Sequence, residues 1–123
     1  MALDSYRAAQ KLHGVHPRSC ASRAYYAAHA AVTRALLKAK YVPPAPLHSP
    51  PHRQIAGLID SHLLGLGRST RKELRASMRR LYSARLMADY SEARPIDRSD
   101  AMKSVRDAAS VLKTLEVAHD GAH

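Results

Sequence analysis

A chain of 123 residues that has one Cys and neither Phe nor Trp favours a single helical domain and excludes an intramolecular disulfide, which indicates a reducing compartment. Twenty Lys and Arg against ten Asp and Glu give a net charge of +10, so the partner expected first is nucleic acid and the second is an acidic protein. No apolar run approaches the length of a membrane span and the first residues show no signal-peptide pattern, so no membrane partner is expected and the predicted location is the cytoplasm.

The spacing of apolar residues predicts five helices in one domain that covers residues 1–123. Glycines, prolines and capping residues set the expected bounds, which are 2–13, 18–40, 52–66, 70–90 and from a cap at Asp97 or Ser99 to just before Gly121. A proline-rich loop over 42–51, with five prolines in ten residues, separates the second helix from the third. Residues 119–123 are expected to form a frayed tail. The predicted fold class is all-α, a single-domain antiparallel bundle of about five helices.

The second predicted helix carries two different faces. One face is apolar and rich in alanine, which allows neighbouring backbones to approach closely, and it consists of Ala21, Tyr25, Ala28, Val32, Ala35 and Ala39. The stripe beside it is polar and partly aromatic, and it consists of Ser22, Arg23, Tyr26, His29 and Thr33. We therefore expect this helix to lie at the centre of the bundle and to contribute to a site or an interface.

The penultimate predicted helix is expected to open on a capping box formed by Thr70 and Glu73. Its apolar stripe includes one cation and runs through Leu74, Met78, Leu81, Arg85 and Ala88. A guanidinium in that position needs a partner, because an unpaired buried charge is strongly destabilising. Asp89, one turn further along, is one candidate partner, and Tyr26 and Arg23 are the others. An alternative is that Arg85 and Asp89 form a pair that only fixes packing.

A basic stripe precedes Arg85 on the same helix. Arg71, Arg75 and Arg79 are four residues apart and therefore share one face. This stripe predicts an electrostatic path that leads RNA or an acidic partner toward Arg85. The histidines are scattered, with no thiolate or carboxylate cluster beside them, so neither a metal nor another cofactor is expected.

Two segments of the chain resemble one known family. The segments are SRAYYAAHAAVTRALL, over residues 22–37, and LYSARLMADYSEA, over residues 81–93. In this order they are similar to the second and fourth helices of the HEPN superfamily of small prokaryotic helical proteins. The resemblance implies an antiparallel bundle that often dimerises and that functions in toxin–antitoxin, defence or RNA-processing systems. It also implies a possible partner, because several relatives pair with a minimal nucleotidyltransferase.

Catalytic HEPN proteins use an R-x(4–6)-H motif as a metal-independent ribonuclease site, commonly assembled from two subunits. Arginine can hold the scissile phosphate and histidine can move a proton near neutral pH. In this sequence the matching arginine is Arg85, and the position five residues on holds Tyr90, preceded by Asp89. Tyrosine is a poor proton carrier at pH 7 because its pKa is about 10. Arg23 and His29 match the spacing within the second predicted helix, where the two side chains lie about 120° apart.

The leading hypothesis is therefore a HEPN-like homodimer of the toxin–antitoxin or defence type, which binds RNA or a nucleotidyltransferase antitoxin. In it Arg85 holds phosphate, Asp89 orients the arginine, and Tyr90 stacks, donates a hydrogen bond or is modified, with Arg23 and Tyr26 facing them. One alternative is a metal-independent endoribonuclease that uses Arg23 or Arg85 with His29. The other is a noncatalytic helical scaffold or interaction module.

Overall fold

A computed structural model describes residues 17–44, 49–90 and 96–121, with Tyr90 and residues 117–121 described through their backbone alone. The described ranges are helical, without a strand, and contain α1 (Pro17–Lys38), α2 (His52–His62), α3 (Arg68–Tyr90) and α4 (Arg98–Gly121). The predicted all-α class is confirmed. The expected helix over 2–13, part of the proline-rich loop and the last two residues lie outside the described residues.

The alanine-rich helix α1 is central, as the sequence predicts, since it contacts α2, α3 and α4. Its predicted apolar face is buried at Ala21, Tyr25, Ala28 and Val32. The small side chains of Ala21 and Ala28 let neighbouring helices pack close to the α1 backbone. The hydrophobic core formed there also takes in Leu36 of α1 and apolar side chains of the three other helices.

The C-terminus of α1 lies two residues before the predicted end at Lys40. The Tyr41 amide donates to the Leu36 carbonyl at 3.0 Å and the Lys40 amide donates to the Leu37 carbonyl at 3.1 Å. Together with the positive φ of 72° at Lys40, these bonds form a Schellman motif, which ends a helix by satisfying its last carbonyls. Lysine occupies the left-handed position that glycine usually takes, which is why the sequence pattern missed this end.

Two further helix boundaries differ from the prediction. Helix α2 ends at His62, not at 66, because Leu63 leaves the helical region at φ −88° and ψ 53°. Helix α3 begins at Arg68, and the Gly67 carbonyl already accepts from the Arg71 amide at 2.9 Å. The predicted capping box at Thr70 is therefore wrong, since Thr70 lies inside the first turn.

The predicted cap at Asp97 is confirmed. Its carboxylate accepts a hydrogen bond from the Asp100 amide at 2.9 Å, and the Asp100 carboxylate accepts from the Asp97 amide at 3.2 Å. This reciprocal pair is a capping box, and the hydrogen bond from the Asp100 amide lowers the pKa of Asp97 below its usual range. At its other end α4 includes Gly121, whereas the sequence placed that residue just beyond the helix.

Two other expectations concern single features. Cys20 is completely buried, with its thiol 3.9 Å from the Ala101 carbonyl oxygen, and burial raises the pKa of that thiol to about 11, so it is a protonated packing residue. Within the described ranges no helix combines the length and the apolar character needed to cross a membrane.

Candidate functional site

The Arg85 guanidinium lies in an aromatic and acidic environment between α1 and α3. Its Nε is 3.2 Å from an Asp89 carboxylate oxygen, and its side chain is 18% exposed. Its central carbon lies 5.2 Å from the ring centre of Tyr26, 5.5 Å from that of Tyr25 and 6.0 Å from that of Tyr82. Cation–π contacts and the ion pair together compensate its partial desolvation. The predicted contacts of Arg85 with Asp89 and Tyr26 are confirmed.

These groups line an open depression of about 970 Å³. Its lining consists of Arg18, Ser19, Ser22, Arg23, Tyr26, Arg85, Ala88 and Asp89. Three arginines therefore share it with one carboxylate, which leaves two formal positive charges. We call this surface the arginine depression.

Antiparallel packing brings the two helix ends together in the arginine depression. Arg18, in the first turn of α1, donates through Nη1 to the carbonyls of Met87 and Ala88 in the last turns of α3, at 3.1 and 2.9 Å. One turn further along α1, the Ser22 hydroxyl donates to Asp89 at 2.6 Å. Because Asp89 binds both Ser22 and Arg85, it fixes α3 against α1 and orients the guanidinium.

A second cluster of aromatic side chains lies on the interior side of Arg85. The His52 imidazole stacks on the Tyr82 ring, with 3.4 Å between ring centres and an interplanar angle of 8°, and its Nδ1 lies 3.2 Å from the Tyr25 hydroxyl. The ring of His29 lies 5.6 Å from that of Tyr25, and its Nε2 donates to the Pro50 carbonyl at 3.0 Å. Segment 49–51 is thereby attached to α1, and both histidines pack against Tyr25, whose ring also lies beside Arg85.

Burial governs the ionisation of this cluster. Desolvation lowers the pKa of His29 and of His52, and the nearby positive charge of Arg85 lowers both further. Desolvation also raises the pKa of Tyr25 to about 12. At pH 7 the rings of Tyr25, His29 and His52 are therefore neutral.

The lowered histidine pKa values predict that acid destabilises the fold. Above their unfolded pKa of 6.5 both imidazoles are neutral in either state. As the pH falls below 6.5, the unfolded chain takes up protons first, so the free energy of unfolding drops until the folded pKa values are passed. We expect urea midpoints to decrease between pH 7.5 and 5.5. The double variant His29→Gln/His52→Gln should show a flatter curve, and an equal slope in both proteins would contradict this origin.

Comparison with known proteins places the chain in a family. A scan against protein-family models finds a match to the HEPN domain over residues 1–118. The chain belongs to the HEPN family. Searches of the curated proteins and of the solved structures each give no significant match. The resemblance inferred from segments 22–37 and 81–93 is thereby confirmed. Residues 22–37 form much of α1, and residues 81–90 form the end of α3.

The fold places Arg23 and His29, the two residues of the second predicted motif, in different surroundings. Arg23 is exposed and lines the arginine depression, whereas His29 is half-buried against Tyr25 and Pro50. The rotation of about 120° that the helical spacing implies therefore directs the two side chains to different surroundings. The side chain of Tyr90 lies outside the described residues, although its backbone belongs to α3.

The basic stripe of this HEPN domain is partly neutralised. Arg71 and Arg75 both lie against Asp60 of α2, Arg71 at 4.0 Å and Arg75 in a hydrogen-bonded ion pair. Arg71 and Arg75, at the start of the stripe, thus attach α3 to α2. Arg79, which is nearer to Arg85 in the sequence, faces solvent. Among the residues that the structure describes, no cluster of three or more metal-binding side chains occurs.

Three residues of the site, Arg18, His52 and Tyr82, are not among those predicted from the sequence. Each comes from a different helix, and no spacing within one helix connects them. For Arg18 a local signal does exist, since Arg18, Ser22 and Tyr26 recur every four residues and so share one face.

Proposed function

We propose that this HEPN protein is an RNA-binding component of a toxin–antitoxin or defence system, and that the arginine depression is its RNA site. The observation that carries the proposal is the presence of three arginines and one carboxylate around an open depression with a volume of about 970 Å³. Guanidinium groups bind phosphate through paired hydrogen bonds, and their charge attracts a polyanion over longer distances. The net charge of +10 supports the same partner.

In this proposal the arginines have different tasks. Arg18 is tied to two α3 carbonyls and contributes charge from a fixed position. Arg23 is exposed and can reach a phosphate without breaking a described contact. Arg85 binds phosphate by exchanging one carboxylate oxygen of Asp89 for a phosphate oxygen, while Ser22 keeps Asp89 in place. Tyr90 stays a prediction as a stacking, hydrogen-bonding or modified residue.

Membership of the HEPN family supports a proposal about assembly. We propose a homodimer whose partner is a minimal nucleotidyltransferase acting as antitoxin. The basic surface suits an acidic patch on that partner, which would then compete with RNA for the same arginines. If the isolated protein binds RNA and the added nucleotidyltransferase displaces that RNA, both RNA binding and competition by the antitoxin are supported.

Reversing the charge of Arg23 tests the RNA site. We expect Arg23→Glu to weaken binding of a labelled RNA by about tenfold at moderate salt and to flatten the dependence of log Kd on log salt by about one unit, since one phosphate contact is lost. Fluorescence anisotropy between 50 and 300 mM salt, roughly the range in which such contacts dominate, measures both. The matched control is Arg106→Glu, an exposed arginine of α4 that does not line the depression. Equal losses in the two variants would assign binding to overall charge and reject the site.

The ribonuclease alternative has one supporting observation. His29, which the lowered pKa keeps neutral at pH 7, packs against the Tyr25 ring, and Arg85 lies beside the same ring. Its Nε2 is bonded to Pro50, so a proton transfer would have to use Nδ1. Total RNA incubated without metal with the wild type, His29→Ala and Arg85→Ala decides the matter. Cleavage by the wild type that both variants abolish would favour the enzyme, and intact RNA with all three proteins would discard it.

A further inference from the structure

Tyr26 is the exposed ring among the three tyrosines around Arg85. It is 48% exposed, whereas Tyr25 is buried at 4%. Its ring meets that of Tyr25 edge-on, with 5.5 Å between centres and an interplanar angle of 66°, and Arg85 lies against it at 5.2 Å. The ring is therefore held by its neighbours on a rigid helix while a large part of its surface faces the arginine depression.

We propose that Tyr26 is a stacking platform for an unpaired nucleobase, so that the arginine depression selects single-stranded RNA. The inference rests on the proposed RNA-binding function and adds the specificity-determining residue. Any of the bases can stack on an aromatic side chain, because each has a flat face. This platform therefore favours single strands over duplexes without selecting a base sequence.

The neighbours of Tyr26 suit a whole nucleotide. Arg23 precedes it by three residues and so lies beside it on the surface of α1. Arg85 lies against the ring from α3. A base on the Tyr26 ring thus has two guanidinium groups in the same depression to receive the phosphates of its own backbone. Ring and arginines together form the pair of elements that single-strand-binding surfaces combine, a stacking face and a cationic track.

Duplex RNA cannot use this arrangement. Paired bases are stacked on one another inside an A-form helix, whose wide groove displays base edges and hydroxyl groups in place of open faces. A duplex can therefore meet the arginines through its phosphates but leaves Tyr26 without a partner. An apolar protein surface would also cover an exposed tyrosine, but the other residues that line the depression are, apart from Ala88, arginine, serine and aspartate.

The test compares three ligands of equal phosphate number: a single-stranded RNA, a blunt duplex, and an abasic phosphodiester strand. Tyr26→Leu keeps apolar bulk against Arg85 but has no aromatic face, whereas Tyr26→Phe keeps the face. We expect wild type and Tyr26→Phe to prefer the single strand. Tyr26→Leu should bind it about tenfold more weakly and bind the abasic strand as the wild type does. Thermal melts establish that both variants fold.

The outcomes separate this inference from the function on which it rests. If Tyr26→Leu binds the single strand as tightly as the wild type, or if wild type binds duplex equally well, the stacking platform is rejected while RNA binding through arginine survives. If the wild type binds none of the three ligands, the proposed function itself fails. A tenfold loss confined to the base-containing single strand supports both.

Discussion

Arg85→Ala is expected to weaken RNA binding by about 100-fold, the largest binding effect of any single change in the arginine depression. A charge-assisted contact to phosphate contributes about 1.5–3 kcal/mol, and its loss here is accompanied by a second effect. Without Arg85, the Asp89 carboxylate has lost its cation and repels the incoming phosphate. Anisotropy titrations at fixed salt measure the loss.

Arg85→Ala should also lower the free energy of unfolding by about 1–2 kcal/mol, because three tyrosine rings lose their cation and Asp89 loses its ion-pair partner.

The double variant Arg85→Ala/Asp89→Asn separates charge from contact. It carries two arginines and no carboxylate in the depression, so its formal charge of two equals that of the wild type, in which three arginines face one carboxylate. If charge alone attracts RNA, the double variant should recover wild-type affinity. If Arg85 holds the phosphate directly, most of the loss should remain, which is the result we expect.

The scaffold alternative predicts a different pattern for the same variants. If the Arg85–Asp89 pair only fixes packing, Arg85→Ala should lower the melting temperature and leave RNA affinity unchanged. Circular dichroism melts recorded on the samples used for titration distinguish the two cases. A destabilised variant that still binds RNA like the wild type would remove Arg85 from the site and favour a noncatalytic interaction module.

Ala28→Leu is expected to produce the largest loss of stability. Ala28 is completely buried on the face of α1 that packs against the other helices. Adding a branched side chain forces helices apart or side chains out of their rotamers, at a cost of about 2–3 kcal/mol for a site as tight as this one. The melting temperature should fall by about 10 °C in a domain of this size.

A matched alanine on the same helix provides the control. Ala30 lies two residues further along α1 and is only partly buried. Since two residues rotate the side chain by about 200°, Ala30→Leu points away from the contact made by Ala28 and should cost less than about 1 kcal/mol. Equal melting temperatures for the two variants would show that α1 is not packed closely through its small residues.

Much of the bundle could be predicted from local patterns. The three- and four-residue spacing of Ala21, Tyr25, Ala28 and Val32 identified the buried face of α1, and the charge on the apolar stripe singled out Arg85. Helix ends were less predictable. The Schellman end at Lys40 and the early start of α3 depend on backbone geometry that side-chain composition specifies weakly.

The amino-acid sequence by itself determined the helical class, the buried faces, the basic charge and the need of Arg85 for a partner, because hydrophobic periodicity and charge are properties of short segments. Only the tertiary structure decided that His52 stacks on Tyr82 behind Arg85, that Arg18 and Ser22 meet the end of α3, and that Arg71 and Arg75 are paired with Asp60. These contacts join side chains from different helices. They exist only once antiparallel packing has fixed the rotation and offset of each helix, which no single segment encodes.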